Sequence, residues 1–186
     1  NFNIAKHSQA FESCQVILNT FEMNEKYYDS LSYHFATSNN YTVFKYNHGP
    51  YESLKSMGFE VMSNKQIGYA IFNLYDSWYQ VLISNQNRLS EDIDFIRRNF
   101  YQKHFDKFKL FSVGEKGTGS FGMKYSGEMI PIDFEELKKD NQYIYYLQSI
   151  KDSHENFIIM SKHILAAIER NILSINKEVD NLGNTD

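Results

Sequence analysis

SNKQIGYAIFNLYDSWYQVLISNQNRLSEDIDFIRRNFYQKHFDKF, Ser63 to Phe108, contains no proline and a single glycine. Ser63 and Gln66 form an S-x-x-Q capping box, in which each side chain answers a backbone N–H that a first helical turn leaves open. Behind the box, Ile67, Ile71, Leu74, Trp78 and Val81 recur at steps of three and four, which places them on one helix face. The pattern continues through Leu89, Ile93, Ile96 and Phe100 to about Phe108. An unbroken helix of this length would be ~65 Å long, so a bend is expected over Ser84 to Ser90. Long helices therefore dominate the chain.

The flanks agree. From Asn141 to Leu182, Ile150, Phe157, Ile164, Ile168, Ile172, Ile175 and Val179 form one stripe, ahead of a polar NLGNTD tail. At the other end, Ile4, Phe11 and Leu18 interleave with His7, Cys14 and Phe21 as an amphipathic seam. A second helical stretch is expected from about Glu25 to Ala36, with Tyr28, Leu31 and Phe35 on one face, followed by an ordered loop through TSNNYTVFKYNHG. Pro50 opens a short helix that Gly58 ends. Residues 109–132 hold most of the glycines among aromatic and β-branched residues and read as a small hairpin or irregular insertion. Asp133 and Glu136 repeat the capping logic. The sequence thus predicts an all-α bundle of long helices, one domain over residues 1–186, with that single insertion.

The chain has 186 residues, enough to hide roughly 70% of its unfolded surface in one core. Its 14 Tyr and 15 Phe suit half-buried faces, where a ring packs and a hydroxyl stays wet. A net charge of -4 supplies no global field for nucleic acid or an anionic bilayer. The lone Cys14 excludes an internal disulfide and fits either a reducing cytosol or a cysteine-poor exported domain. No stretch approaches the ~20 apolar residues of a membrane span. The opening NFNIAK lacks an initiator methionine, so a signal or anchor is expected upstream.

Several chemistries lack their residues. GEKGTGSFG, Gly114 to Gly122, contains a literal G-x-G-x-x-G, but a dinucleotide loop needs a strand before it and a helix starting within it. Gly127 and Pro131 forbid that helix, and no G-K-[ST] follows, so the run reads as a turn. The six histidines make neither H-E-x-x-H nor E-x-x-H, and no metal or other cofactor is expected. His7 and His154 lie near apolar seams and read as satisfied or boundary histidines. Cys14, in an apolar seam, is expected to be a small hydrophobe with a raised thiol pKa. Acid pairs such as Glu91 with Asp94 belong to solvated helix faces, and no catalytic residue is assigned.

Two features could meet a partner. Arg97, Arg98, Lys103, His104, Lys107 and Lys109 cluster where the long helix ends; they either complement its carboxyl terminus or form a basic patch for an acidic partner. Tyr41, Phe44, Tyr46 and Tyr51 are either core or an aromatic binding surface. The candidate partner-binding residues are Arg97, Arg98, Lys103, Lys107, Tyr46 and Tyr51.

At PYESLKSMGFEVMSNKQIGYAIFNLYDSWY, Pro50 to Tyr79, the chain resembles an uncharacterised family of small membrane-anchored proteins from Bacteroidota. Tyr51, Leu54, Lys55, Gly58, Ser63, Asn64, Leu74 and Tyr75 match that family's pattern, whereas Pro50 and Met62 depart from it. The last helix, with alternating isoleucine and charged residues, is similar as well. The resemblance implies a short basic amino terminus, one transmembrane helix upstream, and a helical domain in the periplasm at the bacterial inner membrane. It implies no activity. Three readings follow: a tethered domain that binds a protein partner or senses a small ligand; an enzyme or accessory subunit whose site is completed in a complex; or a structural homo-oligomer joined through its helix seams. No nucleic-acid partner is expected.

Overall fold

The computed structural model of the chain describes residues 2–58, 62–109, 112–113, 123–124 and 127–183. The glycine run 114–122 lies outside the described residues. The fold is a helical bundle with a small antiparallel insertion, the class read from the sequence. Its elements are α1 (Phe2–Glu22), α2 (Leu31–Thr37), α3 (Gly49–Met57), α4 (Lys65–Asn73), a π-helical turn (Leu74–Trp78), α5 (Tyr79–Asn99), α6 (Tyr101–His104), β1 (Phe105–Lys109), β2 (Ser112–Val113), β3 (Met123–Lys124), β4 (Glu128–Pro131), α7 (Phe134–Leu137) and α8 (Asn141–Gly183). They fall into two compact units, one of Asn1–Val43 with Gln86–Ile158 and one of Phe44–Asn85 with Ile159–Asp186.

In the first unit, α1 buries His7, Ala10, Ser13, Cys14, Ile17 and Thr20. This differs from the expected seam, since Ile4, Phe11, Leu18 and Phe21 are only half-buried. A strict seven-residue repeat drifts by ~20° per heptad around a straight helix, so a buried stripe cannot follow it throughout. The helix ends in a Schellman motif: Asn24 takes φ 51°, its N–H donates to Phe21 O at 3.1 Å, and Glu25 N–H donates to Thr20 O at 3.0 Å. Asparagine tolerates the left-handed region that most side chains avoid. Of the expected helix at Glu25 to Ala36 only α2 forms; Tyr28 is exposed, whereas Leu31, Phe35 and Ala36 are fully buried.

Phe35 organises this core, with ring centroids 5.3 Å from Phe105, 6.3 Å from Phe21 and 6.5 Å from Phe134. Leu89, Ile93, Ile96 and Phe100 on α5 and Tyr143, Leu147 and Ile150 on α8 close it. Helix stops earlier than expected: the backbone turns extended at Phe105, and β1 pairs antiparallel with β4 from Phe105↔Pro131 to Lys109↔Glu128, with a bulge between Phe105 and Lys107. Ile132 N–H donates to His104 O at 2.8 Å and ties the return strand to α6. Asp133 caps α7 as expected, accepting from Glu136 N–H at 2.9 Å.

In the second unit, Asn64 rather than Ser63 caps α4. Its Oδ1 accepts from the N–H groups of Gln66 at 3.0 Å and Ile67 at 3.4 Å. Ser63 Oγ instead donates to Glu178 Oε1 at 2.8 Å. Gly58 ends α3 with φ 81°, a value that disfavours a side chain, and its N–H donates to Lys55 O at 3.2 Å.

The π-helical turn corrects the opening reading. Tyr79 N–H donates to Leu74 O, five residues back instead of four, so the chain gains one residue without advancing its face. The buried side chains are Ile67 before the turn and Leu74 at its first residue, then Tyr79, Leu82, Gln86, Leu89, Ile93 and Ile96. Trp78 and Val81, expected on that face, are 42% and 52% exposed. No interruption occurs over residues 84–90, where a bend was expected.

Candidate functional site

An apolar groove of about 320 Å³ opens in the second unit. Pro50, Tyr51 and Leu54 of α3 form one wall; Ile71, Leu74, Tyr75 and Tyr79, before, within and just after the π turn, form another; Ile168, Asn171, Ile172 and Ile175 of α8 form the third. The extra residue of the turn sets Leu74, Tyr75 and Tyr79 side by side along this wall, where a regular helix would have placed Trp78. Tyr51 and Tyr75 stack with centroids 4.4 Å apart and planes within 12°, and Tyr79 lies 5.0 Å from Tyr75. Tyr46 joins behind them, 4.6 Å from Tyr79, and its hydroxyl accepts from Gln80 Nε2 at 2.9 Å. Such offset aromatic packing rigidifies a wall as well as shielding it from water.

The polar groups at the rim are engaged with one another. The Asp76 carboxylate lies near the Tyr51 hydroxyl and interacts with it, and Lys55 Nζ lies 3.1 Å from Asp76 Oδ2. Burial, seconded by the Asp76 interaction, pushes the Tyr51 hydroxyl well above its ordinary pKa; burial raises Tyr79 to about 12. The Tyr51 hydroxyl, and after it the Lys55 ammonium, hold Asp76 below the ordinary carboxylate value.

Asn171 is the amide among these lining side chains. It also lines a second, smaller cavity of about 100 Å³ with Asn64, Gln66, Ile67, Ala70 and Ser174. Its Nδ2 is shielded from solvent and has no hydrogen-bond partner among the described residues. Beside the smaller cavity, Glu178 receives Ser63 Oγ at 2.8 Å and Asn64 Nδ2 at 3.4 Å. A carboxylate there offsets the positive end of the α4 dipole.

The first unit holds a second polar constellation, which is closed. His154 Nε2 lies 3.3 Å from Ser38 O, which can only accept, so Nε2 carries the proton and Nδ1 is an acceptor. His7 Nδ1, 3.0 Å away, therefore donates to it. This leaves His7 Nε2 as the acceptor for Thr42 N–H at 3.3 Å, with Thr42 Oγ1 3.2 Å away. Both rings are neutral. Phe157 stacks on His7 at 3.7 Å and 5°. Burial lowers His7 to about 4 and His154 to about 3, where the neighbouring His7 adds to the effect. Both histidines are satisfied, as their place near apolar seams implies. Next to them, Cys14 is fully buried 3.9 Å from Ser38 O, and burial raises its thiol far above the ordinary value.

The predicted partner-binding residues divide between the units. Tyr51 lines the groove and Tyr46 packs behind it. In the first unit, Arg97 pairs with Asp94 at 3.2 Å, Arg98 and Lys107 are exposed, and Lys103 Nζ lies 2.9 Å from Asp140 Oδ2. The same oxygen meets His104 Nε2 at 2.9 Å, while Asp140 Oδ1 accepts from the N–H groups of Gln142 and Tyr143 at the start of α8. Burial alone would raise Asp140, but the bonds from Lys103, Tyr143 N–H and His104 hold it at about 2. Sequence reading missed Asn171 and the α8 wall as site residues, because isoleucines and an asparagine at helical spacing look like any buried stripe.

Comparison with family models, curated proteins and solved structures gave no match. Among the described residues, no helix is long and apolar enough to cross a membrane, and no group of three or more histidine, cysteine, aspartate or glutamate side chains could hold a metal ion.

Proposed function

We propose that the chain is a ligand-binding domain, tethered to the bacterial inner membrane by an upstream anchor and facing the periplasm, that takes an apolar small molecule in the groove of its second unit. The groove carries this reading: it is concave, walled by aliphatic and aromatic side chains, and its volume falls at the lower end of the ~300–1,000 Å³ typical of small-molecule sites. The tether rests on the resemblance at Pro50 to Tyr79. An apolar fluorescent probe, N-phenyl-1-naphthylamine, should brighten with the wild-type chain and lose that response in Leu54→Trp, which fills the groove. Brightening that survives Leu54→Trp would remove the groove from the reading. Recovery of the full-length protein from the soluble fraction of its own cells would remove the tether.

One observation favours a second reading. On α8, Ile172, Ile175, Val179 and Leu182 recur at steps of three and four with 52%, 37%, 61% and 55% exposure, the a/d spacing of a coiled-coil seam. A second copy of the chain would cover it. Sedimentation equilibrium should then show a mass that rises with concentration and falls on Val179→Glu; a constant monomer mass would exclude it.

A further inference from the structure

We infer that the groove is half of a site, which a second copy of the chain completes by laying its α8 antiparallel along this one and roofing the groove with its Ile175 and Val179. This inference rests on the pairing of α8 seams between two copies and brings the groove into that interface. From Leu165 to Gly183 no side chain of α8 is buried, and from Ile172 onwards all but Glu178 are exposed. Such a segment gains little from the chain's own packing, which is where most helical stability comes from. Leu165, Ile168, Ile172, Ile175, Val179 and Leu182 occupy the a and d positions of three unbroken heptads along it. Ile168, Ile172 and Ile175 belong both to that seam and to the third wall of the groove. A helix packed on the seam therefore stands at the groove mouth.

On the same a/d line, Leu147 and His154 are buried in the first unit, so the line is closed upstream and opens towards the carboxyl end of α8. A parallel second copy would bring its own closed half level with this one, whereas an antiparallel copy carries it past Gly183. Charge and burial then set the register. With Ile172 opposite Ile175 of the second copy, six a–d layers form, and Glu169 lies level with Asn176 and Glu178 with Asn171. The next register, with Ile175 opposite Val179, forms only four layers and sets Glu178 against Glu178. In the six-layer register the seam is complementary to itself. The exposed parts of Leu165, Ile172, Ile175, Val179 and Leu182 amount to about two and a half whole side chains per copy, or roughly 500 Å² over both copies at ~100 Å² each. With apolar atoms supplying about 60% of an interface, that is roughly 800 Å² in all, short of the ~1,200 Å² of a stable complex. The seam alone thus gives a weak, concentration-dependent pair. Pro50, Leu54 and whatever fills the groove add the surface that is missing, so occupancy and pairing strengthen each other.

Cys14 is fully buried, so an introduced cysteine reports alone. Mixed Leu165→Cys and Leu182→Cys chains treated with bismaleimidoethane should give a cross-linked dimer that neither variant gives by itself, and Val179→Cys should stay monomeric. Cross-linking of Val179→Cys with itself would mean parallel helices and overturn the inference. N-phenyl-1-naphthylamine should brighten more per chain as rising concentration carries the mass from monomer to dimer, and the probe should in turn tighten the dimer by the same factor. Val179→Glu, at an exposed position, should keep the wild-type circular dichroism spectrum, weaken association about tenfold or more, and remove the concentration dependence of the brightening. Brightening that is equal per chain at every concentration and in Val179→Glu would overturn the inference while leaving a groove that one chain completes. A constant monomer mass with no cross-link would remove the second copy altogether, and brightening that survives Leu54→Trp would remove the groove.

Discussion

Acidification from pH 7 to pH 5 should strip about 4 kcal/mol from the stability of the first unit through His7 and His154. Folded, these rings resist protonation until about pH 4 and about pH 3; unfolded, each takes a proton near its ordinary 6.5. The unfolded state therefore binds more protons throughout this window, so the contribution is complete above 6.5 and lost as pH falls towards the folded values. At pH 5 each unfolded histidine is about 97% protonated and each folded one mostly neutral, which amounts to about 2 kcal/mol per ring. His34, which burial also lowers, acts in the same direction. Asp140 stays ionised in both states at pH 5 and adds nothing. Urea unfolding followed by far-ultraviolet circular dichroism at pH 5, 6 and 7 should show the midpoint falling by about 1–4 M. Nitrogen-15 spectra at pH 7 should show the proton on Nδ1 of His7 and on Nε2 of His154. Stability that is flat over this range, or either ring titrating near 6.5, would refute the burial argument.

Deleting Ser77, an exposed residue of the π turn, should restore a regular helix and leave the melting temperature within a few degrees of wild type, whereas deleting exposed Asn87 should rotate Leu89 to Phe100 by ~100° and abolish the cooperative melt. Asn64→Ala should cost ~1 kcal/mol in urea unfolding and Ser63→Ala distinctly less; the reverse order would restore Ser63 as the cap. Asp140→Asn keeps the oxygen that caps α8 but loses the charge facing Lys103 and His104, for a loss of about 2 kcal/mol at pH 7. Because folding depresses Asp140 to about 2, the wild-type advantage should hold above pH 4 and vanish as pH falls through 2, as paired acid titrations of the two proteins would show.

The long helices, the Pro50 and Asp133 starts and the insertion were legible because each rests on local rules: apolar spacing, caps and glycine punctuation. What escaped was set by single residues. The π turn shows this best. Read backwards from Phe100, the apolar series Ile96, Ile93, Leu89 and Leu82 arrives at Tyr79, not Trp78, and disagrees by one residue with the series read forwards from Ile67. That mismatch was present in the sequence; a single helical period fitted across it assigned Trp78 and Val81 to the wrong face. Asn64 and Ser63 are both good caps, and only the reach of Glu178, more than a hundred residues away, separates their roles. The groove had no local signal, since its walls come from three helices and its lining differs from an ordinary core only in being open.

The two ends of the buried histidine chain belong to the same stretch of backbone. Thr42 N–H enters at His7 and Ser38 O closes at His154, so residues 38–42 and the two rings form a loop circuit in which every donor points the same way. Reversing one imidazole would force the other to reverse and would leave Thr42 N–H facing N–H and Ser38 O facing a lone pair. The segment is thus keyed to a single arrangement of two protons, and losing either histidine frees one end of it and leaves the remaining ring's Nδ1 without its partner.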